Sequence, residues 1–393
     1  MADPTVQTGL DRLLTEGCAP LRGRRCGLLC HPASIDRELR HAARLLHEAP
    51  GVDLRALFGP QHGIRGETQD NMIEWEGFRD PLTGLPVHSL YGAARKPTAA
   101  MLAGLDTLVV DLQDVGARYY TFIWTLLLCM EACAEAGIEV VVLDRPNPLG
   151  GVTREGALLD PAYRSFVGLA PLPMRHGLTV GELARLFRAR QVPACRLEVI
   201  PMRGWRREMD FEATGLPWVL PSPNLPTVDT AWVYPGMCLL EGTLLSEGRG
   251  TTRPFEIFGA PGLDPDALVD RLDAWRLSGA AFRPLHFLPT FQKHAQRLCG
   301  GAQIHVTDRR AFRPCLTAVA VLCAARAAYG DQPFWREPPY EYEAVKLPID
   351  VLAGGPALRE AIDAGRDPWE IAAAWAPDET EFAAGTREFL LYA

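Results

Sequence analysis

Thr107-Leu108-Val109-Val110-Asp111-Leu112, followed by Thr121-Phe122-Ile123-Trp124-Thr125-Leu126-Leu127-Leu128-Cys129-Met130-Glu131-Ala132-Cys133-Ala134-Glu135-Ala136 and then Glu139-Val140-Val141-Val142-Leu143, is the stretch that decides the fold. The two flanking runs are short, rich in Val and Leu, and followed by turn residues, as expected of strands buried on both faces. The segment between them is long enough for a helix. Strand, helix, strand in that order is the crossover unit of a parallel sheet, and such crossovers are right-handed. Outward from this unit the pattern repeats. Cys26–Cys30 and Leu54–Phe58 read as further strands, with helices predicted at Arg37–Glu48 and Pro97–Ala103. A helix over Thr179–Arg190 opens with Thr179 and Glu182 at capping-box spacing, and a strand over Leu197–Pro201 follows. The fold class is α/β, an open and mostly parallel sheet whose ligand cleft lies at the carboxyl ends of the strands.

Gly204–Asp229 is dense in Pro, Trp and Gly and reads as a crossover, which places a domain boundary near residue 230. Residues 1–230 form the sheet domain. Residues 231–393 change character, with a helix predicted over Pro265–Leu277, strands over Phe282–Leu288 and Ala302–Val306, a helix over Arg313–Tyr329 and a helical terminus. This second domain reads as smaller and α+β.

The composition excludes several functions. Of 393 residues, 48% are apolar and 22% charged, an ordinary globular balance. A net charge of −8 is the wrong sign for a broad grip on nucleic acid or anionic membrane, so neither is expected as a partner. No apolar run approaches the length of a membrane span. The first residues lack a basic start followed by an apolar run, and the expectation is a cytoplasmic protein. Only Lys96, Lys293 and Lys346 among the forty basic side chains are lysine, and an Arg in a polar loop is suited to bidentate recognition of a carboxylate. The ten cysteines show no C-x-x-C pair, which fits reduced, buried thiols. No metal and no cofactor are expected. The sequence leaves the oligomeric state open.

Four polar clusters each follow a predicted strand: Cys30-His31-Pro32, Pro60-Gln61-His62-Gly63, Asp111-Leu112-Gln113-Asp114 and Asp144-Arg145-Pro146-Asn147. One such cluster is routinely a turn or a helix cap, and His31 reads that way. Four along one rim point to a ligand site. The connection from Gly59 to Pro86 is long for its kind and carries His62, Arg65, Asp70 and Glu74, while Glu241–Glu256 combines carboxylates, Arg and Gly. Dinucleotide, P-loop, nucleophile-elbow and zinc-helix signatures are absent. The remaining stock of carboxylate, Arg, Asn and aromatic side chains suits carbohydrate chemistry, where paired carboxyl groups act as acid and as base or nucleophile.

At these residues the chain resembles a known family. Leu57-Phe58-Gly59-Pro60-Gln61-His62-Gly63-Ile64-Arg65-Gly66, Asp111 through Thr121, Leu143-Asp144-Arg145-Pro146-Asn147-Pro148, Pro221-Ser222-Pro223-Asn224-Leu225-Pro226-Thr227 and Ser246-Glu247-Gly248-Arg249-Gly250-Thr251-Thr252 are similar to the motifs of the DUF1343 family, associated with exo-β-N-acetylmuramidase activity. The resemblance implies a Rossmann-like N-terminal domain, a smaller C-terminal domain and an active site in the cleft between them. It also implies release of N-acetylmuramic acid from the non-reducing end of peptidoglycan fragments during cell-wall recycling, so the partner is a small amino-sugar or muropeptide substrate. The candidate catalytic residues are Glu247, Asp111 and Asp114 within these motifs, and Glu74 and Asp70 in the loop that follows Gln61. The candidate substrate contacts are Gln61, His62, Arg65, Gln113, Arg118, Tyr119, Tyr120, Asp144, Arg145, Asn147, Asn224, Glu241, Ser246, Arg249 and Glu256. Arg118, Arg145 and Arg249 are candidates for the lactyl carboxylate. Many relatives have Glu where this chain has Gln61, which can neither donate an acidic proton nor act as a carboxylate. The expectation is that Asp70 or Glu74 takes over; the alternative is a non-catalytic muropeptide-binding protein.

Overall fold

The computed structural model describes residues 6–70, 72–330 and 332–393. Strands β1 (Arg25–Cys30), β2 (Asp53–Gly59), β3 (Phe78–Arg79), β4 (Pro86–Ser89), β5 (Thr107–Asp111), β6 (Glu139–Leu143) and β7 (Leu197–Ile200) build one sheet in the order β3-β4-β2-β1-β5-β6-β7. Neighbours run parallel except β3 with β4. Consecutive side chains point to opposite faces, and both faces are buried. Leu28, Leu57, Val109 and Val141 enter one core, with α1 (Gly9–Thr15) and α2 (Ala42–Glu48) against it. Leu29, Phe58, Val110 and Val142 enter the other, under α3 (Ala99–Leu102), α4 (Phe122–Ala136) and α5 (Val180–Arg190).

The α4 helix is buried along most of its length and stops at Gly137, whose φ of 67° is the left-handed conformation that glycine adopts without strain. The α2 helix is shorter than its sequence pattern. Asp36 accepts the backbone N–H groups of Glu38 and Arg40, and His41 Nδ1 caps Ala43 N, so a turn occupies the predicted first part of the helix.

The remainder holds α6 (Val228–Met237), α7 (Pro265–Ala274), α8 (Pro314–Tyr329) and α9 (Pro348–Ala353), with β8 (Ile257–Ala260), β9 (Ala280–Phe287) and β10 (Cys299–Val306) in an antiparallel sheet ordered β8-β10-β9. The predicted boundary at residue 230 falls inside α6. The larger core runs from the parallel sheet into α6, α8 and α9 through Val233, Met237, Val319 and Leu352, so the two halves share one apolar interior. All ten cysteines are free. Among the described residues, no cluster of His, Cys, Asp and Glu has the makings of a metal site, and no helix is long and apolar enough to cross a membrane.

Candidate active site

The chain leaves β1 toward β2 and β4 and later returns on the other side to β5, so the switch point of this sheet lies between β1 and β5. Protein side chains fill it. His31 Nε2 accepts the Gln113 backbone N–H at 2.8 Å, which leaves Nδ1 to donate to Pro221 O at 3.2 Å. Burial pushes this imidazole down to about 3, so it is neutral. Arg145 makes a fork to Asp111 at 2.5 and 2.8 Å, with both side chains buried. Asp144 accepts from Thr179 Oγ1, Gly181 N and Tyr392 Oη at 2.8, 2.7 and 2.5 Å, and burial raises its carboxyl to about 6.

Beside this filled rim lies a concave cavity, the usual form of a small-ligand site. Its walls come from the turn after β2, the segment entering α4, the Ser222–Asn224 loop, α6, the stretch from Glu241 to Phe255, and Tyr340-Glu341. The Thr121 hydroxyl donates to Gln61 Oε1 at 2.6 Å, which turns the Gln61 amide NH₂ toward Glu341 Oε1, 3.3 Å away. The other Glu341 oxygen accepts from Tyr91 Oη at 2.9 Å. Burial drives the Glu341 carboxyl up to about 7; the nearby Glu241 carboxylate adds to the rise, while Tyr91, Gln61 and Arg249 pull against it. His62 has a φ of 68° and lies within 2.7 Å of Thr68 O through Nδ1. A carbonyl can only accept, so Nδ1 carries the proton and Nε2 is an acceptor. Burial lowers this histidine to about 4.

A chain of charges backs the opposite wall. Arg249 Nη1 donates to Glu241 at 2.6 Å and to Glu247 at 3.2 Å. Glu241 also accepts from Tyr340 Oη at 2.8 Å, and Glu247 accepts from Lys293 Nζ at 2.9 Å. Burial works against ionisation of Glu247, but the Lys293 and Arg249 charges outweigh it and hold the carboxyl low. Arg249 Nε and Tyr119 Oη, both on residues of the cavity wall, have no hydrogen-bond partner among the described residues. The site therefore combines a protonatable buried carboxyl, an ionised carboxylate–guanidinium pair and aromatic faces suited to a sugar ring.

Two family models match this chain, one for the N-terminal part of exo-β-N-acetylmuramidase NamZ over residues 26–229 and one for its C-terminal part over residues 232–392. The chain belongs to this family. It is 44% identical over 390 residues, 99% of its length and 92% of the relative's, to the peptidoglycan β-N-acetylmuramidase NamZ of Bacillus subtilis (strain 168). Crystal structures of two DUF1343 family proteins from Bacteroides fragilis NCTC 9343 are similar. One has a TM-score of 0.89 at 35% identity and covers 99% of both chains. The other has a TM-score of 0.76 at 28% identity, covering 98% of this chain and 99% of that one. The two-part α/β architecture implied by the family motifs is thus the fold of this chain.

The cavity gathers Gln61, His62, Tyr119, Tyr120, Asn224, Glu241 and Arg249 from the sequence candidates. Others lie outside its wall with partners of their own. Asp111 and Arg145 pair with each other, Asp144 ties β6 to α5, and Asp114 accepts Gly116 N and faces His176 at 3.2 Å. Gln113 donates to Asp114 O and Pro146 O. Asn147 bridges Leu149 N and Leu178 O. Arg118 donates to the carbonyls of Ala157, Leu172 and Leu352. Glu247 neutralises Lys293 and Arg249, Ser246 Oγ accepts Gly248 N, and Glu256 accepts from Thr230. Arg65 is exposed and stacks on Phe78, Asp70 accepts from Gln292, and Glu74, exposed, accepts from Tyr342 Oη. The carboxyl next to Gln61 is neither Asp70 nor Glu74 but Glu341, which stands outside the motifs that pointed to the site. Pro338-Pro339-Tyr340-Glu341-Tyr342-Glu343 could have exposed it: prolines break a helix, and alternating Tyr and Glu is the stock the chemistry asked for.

Proposed function

We infer that this protein is a glycoside hydrolase, an exo-β-N-acetylmuramidase that releases N-acetylmuramic acid from the non-reducing end of peptidoglycan-derived fragments. The observation that carries this reading is the 44% identity to the muramidase of Bacillus subtilis across 99% of the chain, since both halves of the cavity wall lie within that span. The cavity supports it chemically. Carboxyl groups at Glu341 and Glu241, a guanidinium at Arg249 and the rings of Tyr119, Tyr120 and Phe255 are what a glycosidase needs to hold and cleave an acidic amino sugar. Gln61, His62 and Asn224 join them as substrate contacts in this reading. The test is incubation of the purified protein with N-acetylmuramyl-β-1,4-N-acetylglucosamine and with 4-nitrophenyl β-N-acetylmuramide, following released N-acetylmuramic acid and nitrophenol. Release of both products is expected; turnover of neither would refute the activity.

A further inference from the structure

Gln61 cannot supply a proton, yet its amide is aimed at a group that can. Glu341 is 3% exposed, on the cavity wall, and held at both oxygens by neutral donors, the Gln61 amide at 3.3 Å and the Tyr91 hydroxyl at 2.9 Å. Each carboxyl oxygen can accept two hydrogen bonds, so one site on each remains open to a proton.

The backbone gives a second, independent reason to single out this residue. Tyr340 and Glu343 exchange both backbone hydrogen bonds at 2.9 Å, closing a two-residue turn over Glu341 and Tyr342, whose φ values are 44° and 68°. Such a turn needs left-handed backbone at both central positions and is normally built with Asn-Gly or Gly-Gly. Two bulky residues there are strained, and strain of this kind is kept where the surroundings over-determine it. The surroundings do so: Arg95 lies 3.6 Å above the Tyr342 ring, Tyr342 donates to Glu74, and Tyr91 meets the Tyr342 ring edge-on. The turn presents the Glu341 carboxyl to the cavity, a placement that glycine at this position would forgo.

We propose that Glu341 is the general acid of the muramidase reaction and that Gln61 is a positioning residue that orients its carboxyl. The assignment rests on the activity inferred above. The Glu341 proton passes to the glycosidic oxygen as the bond from that oxygen to C1 of N-acetylmuramic acid breaks. Water adds to C1 and releases one proton to solvent, from which Glu341 is recharged, so the sum is hydrolysis. The charged and titratable groups that act on Glu341 are Tyr91, Tyr340, Glu241 and Arg249, with His62 on the same cavity wall and Arg95, Arg164, Tyr342 and Glu343 around the adjoining hollow that Glu341 also borders; burial with Glu241 favours the protonated acid, and Arg249 prevents the two carboxyl groups from repelling a substrate anion.

Leaving-group dependence separates this role from a structural one, because a nitrophenolate departs without protonation whereas a sugar alkoxide does not. Glu341→Gln should lose at least ~10²-fold in kcat/KM on the disaccharide and less than about tenfold on 4-nitrophenyl β-N-acetylmuramide. In the unaltered protein, kcat/KM on the disaccharide should fall as pH rises through about 7, while the aryl substrate shows no such limb. That comparison needs no variant and stands even where Glu341→Gln does not fold. Equal losses on both substrates, or the same alkaline limb with both, would overturn the acid role while leaving the muramidase reading intact. Failure of the unaltered protein on both substrates would remove the activity itself.

Discussion

At the scale of single residues, three side chains around the cavity carry separable expectations. The Tyr91 hydroxyl hydrogen-bonds the Glu341 carboxyl and lowers its proton affinity, so Tyr91→Phe should move the alkaline limb of the disaccharide reaction to higher pH, read from kcat/KM against pH. Gln61→Glu would set a second carboxyl beside Glu341 at the 3.3 Å now spanned by the amide. Two carboxyls that close share one proton, so the limb should again move upward without a gain in maximal rate; a gain would mean that Gln61 marks lost catalysis. Arg249 is the cavity cation with an unpartnered Nε. Arg249→Lys keeps a charge between Glu241 and Glu247 but loses the planar fork, so KM for the muramic substrate should rise about tenfold while the matching glucosaminide is unaffected. How much of this was legible without coordinates is uneven. Gln61, His62, Glu241 and Arg249 stand in motifs whose polar residues follow apolar runs, and the cavity collects them. Asp111, Asp114 and Glu247 look the same in sequence, but their salt bridges and hydrogen bonds link segments distant in the chain, and sequence spacing does not disclose which carboxylates are so engaged.

At the scale of elements, periodicity sufficed where an element is regular and flanked by caps. The α5 helix is the clearest case, with Thr179 accepting Glu182 N while Glu182 accepts Thr179 N. Because the Thr179 hydroxyl also donates to Asp144, Thr179→Ala should cost about 2 kcal/mol in a denaturant melt, the upper end for a cap. Thr98→Ala, which removes only the cap on Met101 N at the exposed start of α3, should cost about 0.5 kcal/mol. Equal costs would show that the Asp144 contact contributes nothing. Elements that escaped the sequence lack such signals. The α6 helix is buried on all sides and holds Pro235, so it shows no amphipathic period. The β8 strand is four residues long and lies in a segment rich in Gly and Arg, which reads as a loop. The Tyr340–Glu343 turn has none of the glycine or asparagine that announces its geometry.

At the scale of the whole molecule, the shared core and a few buried ionisable groups set stability. Arg118 is fully buried, reaches from the segment before α4 to Leu352 in α9, and satisfies three carbonyls. Arg118→Met should therefore lower stability by about 3 kcal/mol without altering the preference for muramic over glucosamine glycosides, the reverse of the pattern at Arg249. His31 contributes one slope to the pH dependence. Its folded imidazole takes a proton only near pH 3, whereas the unfolded chain takes one near pH 6.5. As pH falls below 6.5 the unfolded state gains a proton that the folded state refuses, so His31 contributes a loss of stability of up to about 1.4 kcal/mol per pH unit. Glu341, raised to about 7, works in the opposite sense, because between pH 7 and its unfolded value the folded state holds the extra proton. A melt of the unaltered protein mixes these slopes, but the cost of a substitution isolates one. His31→Gln keeps an acceptor for Gln113 N and a donor for Pro221 O while removing the titration. Its cost, measured by denaturant unfolding, should be smaller at pH 5 than at pH 7.5 by about 2 kcal/mol; a cost that does not change with pH would mean that His31 binds its proton in the folded protein as readily as in the unfolded chain.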